Sequence, residues 1–334
     1  MNNKQYYIGI DVSKQTLDIA INKQTEHLHH LQVSNDLKGL KTFEKKAKEW
    51  KVDLKKALFC MEYTGIYNYT VVDFLSKKHY ALWVEHALAI KKSSGFQRGK
   101  SDRLDAKRIA QYAYRFQDKA QPWIPERQVI RQLKVLVCLR ERLIKSKDNL
   151  AKPLKEYKKF MPESYKLCKK GTKASLQAIE KDIKQVEEQI QALLKADEKV
   201  KQHYRLATSV RGIGPVTACA LILCSGAFSK IQKGKQLACY AGVVPFEHRS
   251  GSSVRGCPRV SPWANKQLKK YLHMAALSAI QVEGELKAYY ERQLAKGKHK
   301  MSVLNAVRNK LVLRVCACIR ENQLYDSNYS YQAA

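Results

Sequence analysis

Asp102 and Asp105 stand three residues apart in GKSDRLDAKRIAQYA, residues 99–113. The pattern predicts a helix starting at Ser101, which puts both carboxylates on one face. Lys91, Lys92, Arg98, Lys100, Arg103, Lys107 and Arg108 surround them in the chain. Two anions on one helical face in a cationic neighbourhood suit a site that holds a divalent metal against phosphate oxygens. Hard cations such as Mg²⁺ take carboxylate oxygen and complete their shell with substrate phosphate. The plainer alternative is a solvated helix whose acids pair with adjacent bases. A second stretch, residues 237–279, carries different chemistry. Ser250 precedes Gly251 in a Gly- and Ser-rich loop bounded by Arg249, Arg255 and Arg259, and a helix bearing Lys266, Lys269 and Lys270 follows. No carboxylate lies between Glu247 and Glu283. This segment cannot build its own hard-metal site, but it can grip a phosphodiester. Its serine is either a phosphate hydrogen-bonder or a nucleophile activated from elsewhere.

The elements that position these residues follow from hydrophobic periodicity. YYIGID, 6–11, runs apolar into an acid, and Leu17, Ile19 and Ile21 alternate as a second strand. Residues 22–24 make a polar turn and HLHHLQV supplies a third strand. His27, His29 and His30 in it read as surface decoration rather than as a ligand cluster. Asn35 or Asp36 caps a helix carrying Leu37, Leu40 and Phe43. ALFCMEYTG, 57–65, reads as a buried strand ending in Glu62, followed by a helix through Tyr69, Val71, Val72, Phe74 and Leu75 and a strand in YALWVE, 80–85. Asp18, Asp53, Asp73 and Glu85 are less well placed and read as surface acids.

From about 125 to 205 glycine is nearly absent and charge is dense. Leu176, Ile179, Ile183, Val186, Ile190 and Leu193 step by three and four, the mark of a coiled-coil seam. Leu133, Leu136, Leu143 and Leu150 form a poorer seam interrupted by Arg140 and Lys147. Pro153 and Pro162 are expected to break the stretch into two arms, as an antiparallel hairpin or a dimer, or as one long arm folded onto its own subunit. At 209–224, SVRGIGPVTACALILC, a Gly-Ile-Gly-Pro turn enters an apolar helix. Arg211, Gly212 and Gly214 make it similar to a helix-hairpin-helix unit, whose turn N–H groups and helix N-terminus meet a phosphate; a plain tight turn is the alternative. A tail helix over 300–320 carries Met301, Leu304, Val307, Leu311, Leu313 and Val315.

Composition bounds the partner. The chain has 334 residues, with 62 Lys and Arg against 30 Asp and Glu, a formal charge of +32. Such an excess points to a polyanion, and nucleic acid fits better than an anionic membrane because the bases are spread along the whole chain. No apolar run approaches the roughly 18 residues of a spanning helix, and the N-terminus meets charge too early for a signal peptide. The nine cysteines contain no CxxC pair, which favours buried free thiols in a reducing cytoplasm over disulfides or zinc.

Three strands, helix, strand, helix, strand and a further helix, with Asp11, Glu62, Asp102 and Asp105 at their stations, resemble the RNase H-like fold of RuvC-type nucleases. Like charges at that spacing repel unless metal neutralises them. The anchors IGIDVSK (8–14), MEYTGIY (61–67), KSDRLDAKRIA (100–110), VRGIGPVTA (210–218) and AGVVPFEHRSG (241–251) extend the likeness over nearly the whole chain. In that order, with the coiled coil between, they resemble the bacterial insertion-sequence transposases of the "one-ten" family, including its "eleven-eleven" branch. The resemblance implies an α/β RuvC-like DEDD domain over 1–122, a helical coiled-coil arm over 123–205 and a mainly α serine transposase domain over 206–334. It implies Asp11, Glu62, Asp102 and Asp105 as ligands of Mg²⁺ or Mn²⁺, and Ser250 as a nucleophile forming a phosphoserine link to DNA. Arg249 stands where the family loop often has a first serine, which favours Ser250, with Ser252 and Ser253 as alternatives. Arg98, Lys100, Arg103, Arg211, Gly212, Gly214, Arg249, Arg255, Arg259 and Lys266 are the expected nucleic-acid contacts. Donor and target DNA, a structured non-coding bridge RNA and further copies of the chain, as dimer or tetramer, are the implied partners, at the nucleoid in the cytoplasm and with no membrane.

The resulting expectation is a composite site: metal ligands from the first third, phosphate grip and hydroxyl from the last. Two rivals are a RuvC-type nuclease that hydrolyses with water, and a non-catalytic nucleic-acid-binding protein whose acids are structural.

Overall fold

The computed structural model describes residues 4–93, 101–250 and 254–326; for residues 247–250, 254, 255 and 257 it describes the backbone alone. The chain forms two compact units, Met1–Pro125 and Glu126–Ala334.

In the first unit the elements run β1 (Tyr6–Val12), β2 (Thr16–Lys23), β3 (Glu26–Ser34), α1 (Leu37–Glu49), β4 (Ala57–Glu62), α2 (Tyr69–Lys77), β5 (Ala81–Glu85), α3 (Ala87–Ser93) and α4 (Asp102–Arg115). The strands form one five-stranded sheet in the order β3-β2-β1-β4-β5. The first three are antiparallel, and β1, β4 and β5 are parallel. Only α3 among the α-helices here is absent from the sequence reading; at seven residues it is too short to show a period.

Strand periodicity decides what each side chain faces. Ile8, Ile10 and Val12 of β1 join Phe59 and Met61 of β4 in a core with Leu40 and Phe43 of α1 and Val71 and Leu75 of α2. The alternate residues Tyr7, Leu58, Cys60 and Trp83 pack on the other face with Ile109, Tyr112 and Ala113 of α4. Both faces are therefore covered, which is why β2 is buried through six consecutive residues rather than alternating. Asp36 is the cap of α1, its Oδ1 accepting from Gly39 N at 2.7 Å.

The second unit begins with two long helices, α5 (Gln128–Phe160) and α6 (Pro162–Ala196). They pack as an antiparallel hairpin, fixed in register by Arg140–Glu187 at 2.7 Å and Lys147–Glu180 at 2.8 Å. The two bases that interrupt the seam in the sequence are thus its cross-links. The structure corrects the expected break at Pro153, which lies inside α5. Leu150 and Leu154 on either side are half-buried, and their packing offsets the lost backbone hydrogen bond. The single break is at Met161, held out of helical geometry at φ −142° and ψ 66° by the proline that follows it. Glu126, just ahead of α5, accepts from Lys134 Nζ at 2.6 Å and from Lys230 Nζ at 2.8 Å.

The remaining elements are α7 (Glu198–Ser209), α8 (Pro215–Ser225), α9 (Gly234–Tyr240), the hairpin β6 (Pro245–Ser250) and β7 (Val254–Val260), then α10 (Lys266–Gln281), α11 (Glu285–Ala295) and α12 (Lys300–Glu321). Helix α8 is apolar nearly all round and sits inside a core shared with α10, α12 and the base of the α5–α6 hairpin. In the tail helix Leu304, Val307, Leu311 and Val315 are buried as expected, whereas Met301 and Leu313 are exposed.

Candidate active-site residues

Asp11 lies two residues beyond Gly9 on β1, and Glu62 two residues beyond Cys60 at the end of β4. Period-2 alternation puts both on the face that α4 covers. Gly9 explains how α4 reaches them. A Cβ at Gly9 would stand 2.2 Å from the carbonyl oxygen of Ala106 and 2.3 Å from the backbone nitrogen of Ala110. With Ala20 of β2, these alanines make a seat of small residues that lets the helix backbone rest on the sheet. Ser101 caps α4, accepting from Leu104 N at 3.3 Å, so Asp102 and Asp105 occupy the first turn, just ahead of that seat.

The electrostatics register the convergence. Burial, then the charges of Asp102, Asp105, Glu62 and Asp18 in that order, push Asp11 up to about 6. Glu62 is also raised, by burial first and then by Asp105. These carboxylates share one field without being gathered at coordination distance. Among the described residues no group of three or more His, Cys, Asp or Glu side chains is closed up to hold a metal ion. Asp105 is turned onto Arg108, whose Nη1 donates to its Oδ1 at 2.6 Å. Uncompensated like charges hold apart in this way. An all-oxygen donor set whose charges push up Asp11 and Glu62 fits a hard divalent cation, with Asp11, Glu62, Asp102 and Asp105 the residues that would hold it.

Of the acids assigned to the surface by sequence, one is buried and Glu85 is half-buried. Asp18 is 3% exposed and pairs in register with Asp11 across β1 and β2. Its oxygens accept from His30 Nε2 at 2.9 Å and Gln32 Nε2 at 2.8 Å. Glu85 stands beside Glu62 in register and accepts from the Tyr112 hydroxyl at 3.3 Å. Asp53 and Asp73 are exposed as expected. The histidines of the edge strand β3 are half-buried: besides the His30–Asp18 contact, His27 Nδ1 lies 3.0 Å from Asn22 Oδ1, and His29 stacks on Trp50 at 4.3 Å. The signal for Asp18 was present in the sequence. A tight turn over residues 13–15 sets 11 opposite 18, so the hairpin register alone would have found it.

The turn after Glu62 is locked by Asn68, which is 2% exposed. Its Nδ2 donates to the Glu62 carbonyl at 2.8 Å, and its Oδ1 accepts from the Thr64 hydroxyl at 2.8 Å. The backbone that carries Glu62 is therefore fixed from within MEYTGIYN.

In the second unit Ser250 is the last residue of β6, paired with Val254, and Arg249 pairs with Arg255. The expected Gly- and Ser-rich loop is thus the tip of a β-hairpin, whose β-branched Val254 and Val260 and aromatic Phe246 favour strands. Ser252 and Ser253, like Arg98 and Lys100, lie outside the described residues. Arg259 and Lys266 are exposed, as is Arg103 on α4. Gly212 has φ 91°, and a Cβ there would meet Ala279 Cβ at 2.6 Å and the Ala275 carbonyl at 2.7 Å, so this glycine seats its turn against α10. Gly214 faces open space, while Arg211 Nη1 donates to the Glu283 carbonyl at 3.0 Å. The described cysteines are all free thiols; Cys60, Cys219, Cys316 and Cys318 are buried and Cys138 is exposed. Among the described residues no helix is long and apolar enough to cross a membrane.

Comparison with known proteins adds the lineage. Residues 8–157 match a family profile described as a DEDD transposase of the IS110 type. Residues 204–291 match the "Transposase IS116/IS110/IS902 family" profile. Pilin gene-inverting proteins of Moraxella bovis and Moraxella lacunata are each 25% identical over 330 residues, covering 96% of this chain and 97% of theirs. An uncharacterised protein of insertion element IS110 from Streptomyces coelicolor is 31% identical over 157 residues, 46% of this chain and 37% of its own. The DEDD match carries with it the RNase H-like fold for the five-stranded unit. With one profile over the carboxylate-bearing unit and another over the serine-bearing one, the chain belongs to the IS110 family of transposases, enzymes that cleave and rejoin DNA.

Proposed function

We propose that this enzyme exchanges DNA strands through a phosphoserine intermediate at a composite site, the N-terminal unit supplying Asp11, Glu62, Asp102 and Asp105 and the C-terminal unit supplying Ser250. The observation that carries the reading is the convergence of four family-position carboxylates on the α4 face, where burial first and then the neighbouring charges raise Asp11 to about 6. In the first step Ser250 Oγ forms a bond to the scissile phosphorus, a bridging P–O bond of the DNA breaks, and the deoxyribose oxygen leaves with a proton. In the second, a hydroxyl of the recipient strand attacks that phosphorus and Ser250 Oγ departs. One phosphodiester is exchanged for another, so no ATP is required. Bound Mg²⁺ or Mn²⁺ supplies Lewis-acid stabilisation of charge on the phosphoryl oxygens. Asp11, Glu62, Asp102 and Asp105 hold it, and Arg249, Arg255, Arg259 and Lys266 grip the backbone.

We read the long hairpin as a coiled-coil arm over 123–205 between domains at 1–122 and 206–334, and the 210–218 turn as a helix-hairpin-helix-like phosphate contact. A structured bridge RNA selects donor and target, and the working form is a homo-oligomer at the nucleoid in the cytoplasm. Full-length similarity to proteins named for inverting a gene supports rejoining over simple hydrolysis, because a segment cannot be inverted without resealing its ends. Ser250→Ala is expected to abolish the covalent protein–DNA adduct on denaturing gels while leaving nucleic-acid binding intact. An adduct surviving in that variant overturns the assignment. Sequencing the RNA that co-purifies with the chain tests the guide.

A further inference from the structure

Arg308 of α12 is 4% exposed, an arginine inside the C-terminal core. Its Nη2 donates to His273 Nδ1 at 2.7 Å, so that ring is neutral with its proton on Nε2. Its Nη1 reaches Asn305 Oδ1 at 3.4 Å, and its Nε is buried without a partner. No carboxylate answers the charge among the described residues. The reason is already in the sequence: no acid occurs between Glu247 and Glu283, nor between Glu291 and Glu321, so the facing stretches of α10 and α12 contain none. Half-buried Lys269, one turn before His273 on α10, adds a second cation. Burial, then the Arg308 charge, lowers both Lys269 and His273 from their ordinary values.

Burying an uncompensated guanidinium is expensive, and an anion bound beside it would offset that cost. The location says what that is. Asn305 Nδ2 donates to the Val243 carbonyl at 2.7 Å. A Cβ on Gly242, at φ 66°, would come within 3.8 Å of Lys269 Cδ. The cluster therefore abuts the root of the β6–β7 hairpin, whose first strand ends in Ser250. We propose that Lys269, His273 and Arg308 form a seat for a phosphodiester of the DNA backbone, with Arg308 as the charge beneath it and Lys269 and the His273 Nε2–H at its rim. This site supplements Arg259, exposed on the hairpin, and it rests on the reading that this unit handles DNA.

The test uses the full chain and a fluorescein-labelled random-sequence duplex, with affinity measured by anisotropy across a salt series. Arg308→Gln and Lys269→Gln are each expected to lower the slope of log K against log salt by about one, with circular dichroism and melting temperature as folding controls. Lys269 is half-buried, so its variant decides the matter if Arg308→Gln does not fold. The His273 ring signals are expected to shift when the duplex is added. Unchanged slopes with unmoved His273 signals, or a slope change seen only with an RNA probe, overturn the proposal and leave Arg308 a structural hydrogen-bond donor. Ser250→Ala leaves the slope unchanged while removing the adduct, so failure here and failure of the nucleophile assignment are read separately.

Discussion

Asp11 is the most stressed residue of the carboxylate group, and its titration is a direct probe of the group. Its folded-state value of about 6 lies above the ordinary 3.8. The metal-free native state therefore binds this proton more tightly than the unfolded chain does. Stability is lost as pH rises through that window, and the full penalty is present above about 6. In EDTA-treated protein Asp11→Asn is expected to raise the melting temperature at about pH 7.5, with the gain about halved by pH 5. Added Mg²⁺ stabilises the wild type and not the variant, and DNA cleavage by the variant is lost. An equal gain at both pH values would show that Asp11 is not held in the field of its neighbours. Glu126 has the opposite sign. Burial opposes its charge, but hydrogen bonds from Lys134 and Lys230 hold it below the ordinary carboxylate range. Its contribution is present above about pH 4 and fades as pH falls below that. Glu126→Gln is expected to cost about 2 kcal/mol in urea unfolding at neutral pH.

At the scale of elements, Gly9 is the residue on which the carboxylate group turns. A methyl group there would press on the α4 backbone, and a backbone cannot swing aside as a side chain can. Gly9→Ala is expected to destabilise the first unit by about 1–3 kcal/mol. It should also reduce cleavage far more than DNA binding, because α4 carries Asp102 and Asp105; unchanged cleavage would sink this account of the seat. The elements themselves were largely legible: β1, β4 and α4 follow from apolar runs ending in acids and from the Ser101 cap. Asp18 was misplaced because its burial depends on neighbouring strands, which a single strand's alternation does not reveal. Pro153 misled for a similar reason. Local propensity says break, and packing against α6 says continue. The β6–β7 hairpin was hidden by Gly, Ser and Pro residues that read as loop until strand pairing is known. Gly9 gave no signal as a seat, since close approach is a property of two elements and not of one.

At the scale of the whole molecule, charge and lineage point the same way. An excess of 32 positive charges suits an enzyme that holds several strands of nucleic acid at once, and DNA affinity is expected to fall steeply with salt. The acids that remain are put to use: five of them, counting Asp18, act on Asp11 or are Asp11 itself. The proposed bond exchange needs both units. Asp102→Asn, on the first unit, and Ser250→Ala, on the second, should therefore abolish the same product. The most direct measurement is mass spectrometry of the protein after reaction with donor DNA and Mg²⁺ and quenching in denaturant. A nucleotide adduct on the peptide carrying Ser250, present in the wild type and absent from Asp102→Asn, is the predicted result. Cleaved DNA with no nucleotide attached to the protein would contradict it.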